Sequence, residues 1–171
     1  MNPLRIYVAR GMDARSPLSI IEDDKYYETH LESIGAIFMN PYYQINPGQD
    51  IRMIASEVVE SDLKRLLASD VLLADLSILD YRYVGCFYEM AFAFMHNIPV
   101  VLVVGKNDFA NRIFIQQFCD FICYSFEEAL MFIYRAFDSI GISKQLGEMK
   151  EYYSMMAPEY AIRAWSKHSL L

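Results

Sequence analysis

The stretch DVLLADLSILDYRYVGCFYEMAFAFMHNIPVVLVVG (Asp70–Gly105) decides the fold. Val71-Leu72-Leu73-Ala74 reads as a buried strand, and a polar crossing follows it (Asp75-Leu76-Ser77, Asp80, Tyr81-Arg82-Tyr83). Gly85 then opens a helix whose one acid, Glu89, stands among apolar residues, and Ile98 to Val104 forms a second apolar strand. Strand, loop, helix and strand in that order make a parallel crossover unit. In an open parallel sheet the ligand site lies beyond the carboxyl ends of the strands. Asp75, Asp80 and Glu89 all fall at or near that end, and their clustering is the functional clue.

Working outward, Leu4 to Ala9 reads as the first strand, and a helix over Leu18–Ile34 places Ile20, Ile21, Tyr27, Leu31 and Ile34 on one face. Gly35 closes it, and Ala36 to Met39 is the second strand. A loop over Asn40–Gln49 holds two prolines, and Asp50 caps a helix through Ala68 with Ile54, Val58, Leu66 and Leu67 facing inward. After the crossover unit come a loop (Gly105–Ala110), a short helix (Asn111–Phe118), a fifth strand (Phe121–Tyr124) and a helix from Phe126 to Phe137. The expected architecture is a flavodoxin-like, doubly wound α/β fold. Its five-stranded parallel sheet has the order 2-1-3-4-5, with helices on both faces. Residues 1–140 form the domain, and 141–171 form an aromatic and Met-rich tail that packs on the domain or on a partner subunit.

Composition narrows the class. A hydrophobic fraction of 54% with 15% aromatic residues in a chain of 171 argues against disorder and for a homo-oligomer that shares apolar surface. A net charge of −7 with no basic run argues against nucleic acid as a partner. Cys86, Cys119 and Cys123 form no metal-ligand pattern, and their odd number in a chain without a signal sequence points to a reducing cytoplasm. The longest apolar strand-like run is too short to span a membrane. Neither a metal nor an organic cofactor is expected.

Glu89 is the centre of the chemistry. Phe87, Met90, Ala91 and Phe92 desolvate it, which raises its pKa, while the helix N-terminus favours its ionised form. A poorly hydrated carboxylate facing a sugar ring is suited to attack an anomeric carbon, with other carboxylates handling the proton on the leaving group.

These residues resemble the nucleoside 2-deoxyribosyltransferase superfamily, which includes nucleotide N-glycosidases. The resemblance covers roughly the first three quarters of the chain and rests on an ordered set. Its pieces are Ile6-Tyr7, Asp62-Leu63, Asp75-Leu76-Ser77, and Gly85 followed at four residues by Glu89-Met90-Ala91. It implies that Glu89 is the nucleophile that carries the deoxyribosyl group, that Tyr7 stands beside it, and that Asp62 serves the leaving base. It further implies that Gln44 contacts the base and that Asn111, from a neighbouring subunit, contacts the sugar. Asp75, Asp80, Gly85 and Arg10 complete the candidate substrate-binding set. Two positions depart from the family pattern: Tyr83 stands where many members have an aspartate, with Asp80 three residues earlier, and Ile113 replaces a methionine.

The resemblance implies an enzyme of nucleotide salvage that transfers 2-deoxyribose from a nucleoside to a free nucleobase. One alternative is hydrolysis of nucleoside 5′-monophosphates, with Arg10, Arg15 or Arg82 on the phosphate. Another is a non-catalytic nucleotide-binding or interaction module, and the fold alone also permits a flavin protein. Each residue has a plainer reading too. Glu89 is then a helix-start acid, Asp62 a solvated neighbour of Lys64 and Arg65, Tyr7 a packed aromatic, Asp75 a turn cap, Arg10 a surface charge and His96 a helix-end cap.

Overall fold

The computed structural model describes residues 3–12, 15–40 and 55–140. The elements in chain order are β1 (Arg5–Arg10), α1 (Pro17–Ser33), β2 (Ile37–Met39), α2 (Ala55–Leu67), β3 (Val71–Asp75), α3 (Val84–Met95), β4 (Val100–Val103), α4 (Ile113–Phe118), β5 (Phe121–Cys123) and α5 (Phe126–Ile140). A 3-10 turn, Asp108–Asn111, precedes α4. The strands form one five-stranded sheet in the order β2-β1-β3-β4-β5, and every neighbouring pair is parallel. Both the order and the parallel sense agree with the sequence reading. Gln44, the Asp50 cap, Ile54 and the tail 141–171 lie outside the described residues.

Strand side chains alternate between two cores, as the two-residue period of a strand requires. Ile6, Val8, Val71, Leu73, Val101 and Val103 meet Tyr27 and Leu31 of α1 and Ala129, Leu130 and Ile133 of α5. Tyr7, Ala9, Leu72, Ala74, Val100 and Leu102 meet Leu66 of α2, Cys86, Met90 and Ala93 of α3, and Ile115 of α4. Tyr7 is therefore committed by parity to the face that α2 and α3 cover. Two inward assignments from the sequence are corrected. Ile21 and Leu67 are 51% and 50% exposed. Each lies about 100° around its helix from a neighbour that is less exposed, the half-buried Ile20 and the fully buried Leu66.

The helix ends follow local chemistry. The Ser16 hydroxyl accepts the Ser19 N–H at 3.1 Å, with Pro17 next in the chain. Gly35, at φ +74°, ends α1 in the left-handed region. At α5 the Ser125 hydroxyl accepts the Glu128 N–H at 3.1 Å, and the Glu128 carboxylate reaches back to the Tyr124 N–H at 2.7 Å, a variant of the capping box. His96 ends α3 and places its Nδ1 2.9 Å from the Phe92 carbonyl.

At the carboxyl end of the sheet, the loops after β3 and β4 are fastened together. The Asn107 amide donates to the Leu76 carbonyl at 2.6 Å. Gly105, at φ +58°, presses against Ser77, whose Cβ and carbonyl oxygen would sit 3.0 and 3.2 Å from an added Cβ. The Tyr83 hydroxyl accepts the Ile78 N–H at 2.7 Å and donates to the Ile78 carbonyl at 3.1 Å. At this position the tyrosine braces the loop from inside the core. No described helix is long and apolar enough to cross a membrane.

Leu73 is fully buried between β3's neighbours and α5. Leu73→Ala is expected to lower the unfolding free energy by about 2–5 kcal/mol, read as a lower urea midpoint at unchanged slope.

Candidate active site

The site is built where β1, α2 and α3 converge. The Tyr7 hydroxyl donates to Oε1 of Glu89 in a short hydrogen bond. Tyr7 is fully buried, and Glu89 is half-buried on the flank of α3 that faces β1 and α2. Burial, reinforced by the charges of Glu89 and Asp62, holds the Tyr7 hydroxyl far above its ordinary range, so it stays a donor. Glu89 is pushed up to about 7, chiefly by burial and further by the charge on Asp62, against the hydrogen bond from Tyr7 and the pull of Arg10. Asp62 is pushed up to about 7 by burial, against Arg65 and Arg10. Its Oδ1 is buried and has no hydrogen-bond partner. Both carboxyl groups therefore titrate near neutral pH rather than in the ordinary carboxylate range.

Arg10 and Asp75 stand opposite each other in the β1–β3 register. They do not pair. Asp75 accepts the Tyr27 hydroxyl at 2.7 Å and the Ser77 N–H at 3.0 Å, so both its oxygens are engaged. Arg10 instead donates through Nη2 to Asp24 of α1 and stacks near the rings of Tyr27 and Phe38, with centroids 5.5 and 5.9 Å away. Asp24 is itself held by the Asn40 amide at 3.1 Å. Arg15 pairs with Asp23 and donates to the Gly11 carbonyl.

Of the residues singled out in the sequence, the structure bonds Tyr7 to Glu89 and places Asp62 and Arg10 within electrostatic range of that carboxylate, while Arg10 and Asp75 make their own contacts on the α1 side of the sheet. The surface reading of Arg10 is corrected: its side chain is 2% exposed, because strand alternation sends it beneath α1. The solvated reading of Asp62 is corrected likewise, since Lys64 pairs with Glu60 and leaves Asp62 against the protein. Asp80 is exposed at φ +56° and lies apart from this cluster. It rims a hollow of about 370 Å³ walled by Tyr83, Phe87, Phe109 and Arg112. That hollow is on the far flank of α3, because Phe87 and Glu89 point about 200° apart around the helix. Gly85 is exposed, and an added Cβ there would meet nothing within 4 Å. Asn111 ends the 3-10 turn, exposed to solvent.

Asp23 and Asp24 were not anticipated from the sequence, and Tyr27 was expected on the inward face but not as a partner of Asp75. The aspartates lie three and four residues before Tyr27, on its side of α1, a signal that an all-apolar search for the inward face passes over. Among the described residues, no group of three or more His, Cys, Asp or Glu is placed to hold a metal ion.

A solved 2-deoxyribosyltransferase from the psychrotolerant bacterium Bacillus psychrosaccharolyticus matches this architecture with a TM-score of 0.54. The match has 14% sequence identity and covers 85% of this chain and 95% of that one. The fold is the one that enzyme has. A conserved protein from Enterococcus faecalis V583 matches with a TM-score of 0.54 at 23% identity, over 78% of this chain and 99% of its own. A CMP N-glycosidase from Clostridium botulinum is a more distant likeness, with a TM-score of 0.49 at 15% identity over 75% and 96% of the two chains. No family model and no curated protein matches the sequence. The resemblance read from the residues thus holds at the level of the fold.

Two outcomes follow from the electrostatics. Tyr7→Phe removes a hydrogen bond that lowers the Glu89 pKa, so the carboxyl titration, followed by carbon-13 NMR, is expected to move above about 7. Stability is expected to fall as pH rises from about 4.5 to 7. The folded protein keeps protons on Glu89 and Asp62 that the unfolded chain, with ordinary carboxylate pKa values of 4.5 and 3.8, has already released. In Asp62→Asn this slope should shrink, and urea unfolding from pH 4 to 8 measures it.

Proposed function

We propose that this chain is a nucleoside 2-deoxyribosyltransferase-like enzyme of that superfamily, working in nucleotide salvage. The single observation that carries the reading is the bond from the buried Tyr7 hydroxyl to Glu89, which fixes one oxygen of a carboxylate that also feels the charge of Asp62. The likeness of fold to a 2-deoxyribosyltransferase supports the choice.

In this mechanism an oxygen of ionised Glu89 forms a bond to C1′ of a 2′-deoxynucleoside while the C1′–N bond breaks. The electron pair of that bond leaves with the base, and protonated Asp62 gives its proton to the departing nitrogen. A second nucleobase then attacks C1′, loses its proton to Asp62 and displaces the Glu89 carboxylate. Two displacements give overall retention and ping-pong kinetics. The geometry suits the division of labour, because the two carboxyl groups share a protonation range and Tyr7 stabilises the ionised form of Glu89. Asp75, held by Tyr27 and Ser77, steadies the floor of the site. Gln44 and Asn111 remain assigned to base and sugar by the resemblance alone.

The reading includes a homo-oligomer in the cytoplasm. The outer side of α3 supports the first part: Val84, Tyr88 and Met95 are 70, 55 and 67% exposed on a helix whose only charged residue is Glu89. None of the three cysteines forms a disulfide, in keeping with a reducing compartment.

Incubating the protein with 2′-deoxyinosine and free cytosine, with products separated by chromatography, is expected to yield hypoxanthine and 2′-deoxycytidine. Glu89→Gln should lower that exchange by about 10³-fold or more, and Asp62→Asn by about 10²-fold. Undiminished exchange in Glu89→Gln would remove the nucleophile assignment.

A further inference from the structure

The neighbouring strands β1 and β3 send their chains to opposite faces of the sheet. β1 leads into α1, whose Tyr27 and Leu31 pack on one face, and β3 leads into α3, whose Cys86, Met90 and Ala93 pack on the other. The two loops therefore part beyond the carboxyl ends of adjacent strands, and in open α/β sheets that parting is where ligands bind. A ring bridges it here. Tyr81, from the loop after β3, lies across Gly11, the first residue past β1. A Cβ added at Gly11 would sit 2.5, 2.8 and 2.9 Å from Cε1, Cδ1 and Cζ of that ring, so glycine is what lets it seat. Asp80, at φ +56°, and Arg82 flank Tyr81 exposed to solvent, whereas Tyr81 itself is half-buried and turned back over the sheet.

Strand alternation puts Gly11 on the side of Tyr7 and Ala9. Tyr81 packs against the cluster that holds Tyr7, Ala9 and Tyr83, with its ring centroid 4.9 Å from that of Tyr83. The ring therefore stands on the same face as the Tyr7–Glu89 bond, nearer the carboxyl end of the sheet. Along β1, Gly11 lies about 13 Å beyond Tyr7. Along α3, Tyr83 lies about 9 Å before Glu89. That interval matches the reach of two linked rings, a sugar at Glu89 and a base toward Tyr81. We infer that Tyr81 is a base-binding residue: its ring, seated on Gly11, is the surface on which the planar nucleobase stacks. This rests on the enzymatic reading above and names the group that grips the base. Every base presents a π-face, so stacking admits purines and pyrimidines alike and holds the larger ring system more tightly.

The test is calorimetric binding of free hypoxanthine and free cytosine, which does not depend on turnover. Wild-type protein should bind both, hypoxanthine the more tightly. Tyr81→Leu keeps an apolar side chain against Gly11 but removes the flat ring, and should weaken hypoxanthine binding about tenfold. Tyr81→Phe keeps the ring and should stay within about threefold of wild type. Gly11→Ala displaces the ring without altering it and should weaken binding as Tyr81→Leu does. Added to Tyr81→Leu, it should cost less than about threefold more, because both changes act through one contact. In the exchange reaction Tyr81→Leu should raise KM for the acceptor base about tenfold and leave kcat within about threefold. Unchanged binding in a folded Tyr81→Leu would overturn the inference. Equal losses in Tyr81→Phe and Tyr81→Leu, or no base binding by the wild-type protein, would overturn it too. Should Tyr81→Leu fail to fold, unchanged binding in Gly11→Ala decides against it. Base binding that follows these expectations without exchange would instead defeat only the enzymatic reading.

Discussion

The bond between the Tyr7 hydroxyl and the Glu89 carboxylate is the constraint around which the site is arranged. It joins a central strand to a helix that otherwise meets the sheet only through apolar side chains. Strand parity turns Tyr7 toward α3, and complete burial leaves its hydroxyl no water to bond. Glu89 in turn is the one polar group on its helix able to meet it. The pair therefore satisfies a buried donor and a partly desolvated acceptor at once, and it fixes the rotation of α3 about its axis. With that rotation set, Cys86, Met90 and Ala93 face the sheet, Phe87 faces the hollow on the other flank, and Val84 and Tyr88 face outward.

Around this pair the charges form two layers. Burial raises both Glu89 and Asp62 to about 7, and the charge on Asp62 raises Glu89 further. Behind them Arg10, Asp24, Arg15 and Asp23 form a second set tied to α1. The guanidinium of Arg10 belongs to both layers, since its field reaches the two carboxylates while one nitrogen is held by Asp24.

Much of the fold was legible in the chain because parallel sheets write themselves plainly. Val71–Ala74 and Val100–Val103 are uninterrupted apolar runs, and only a strand buried on both faces tolerates that pattern. The helix faces were less legible. Ile20 and Ile21 look alike in sequence, yet one helical step separates half-burial from exposure. In the site, Glu89 and Tyr7 stood out through apolar surroundings and strand position. Asp23 and Asp24 did not, because charged residues on α1 read as solvent-facing until the end of β1 supplies a buried arginine for Asp24 to meet. Nor could sequence say that Tyr83 braces Ile78 or that Asp80 turns outward, since both depend on the path of a loop.

The seam between Gly105 and Ser77 has an effect on how this scaffold can diversify. A Cβ at Gly105 would sit 3.0 to 3.2 Å from Ser77 of the neighbouring loop, tighter than most such contacts, and its left-handed backbone angle is one that other residues rarely adopt. The loops that leave the third and fourth strands are thus held in fixed relation at this point, and a substitution there must shift one of them.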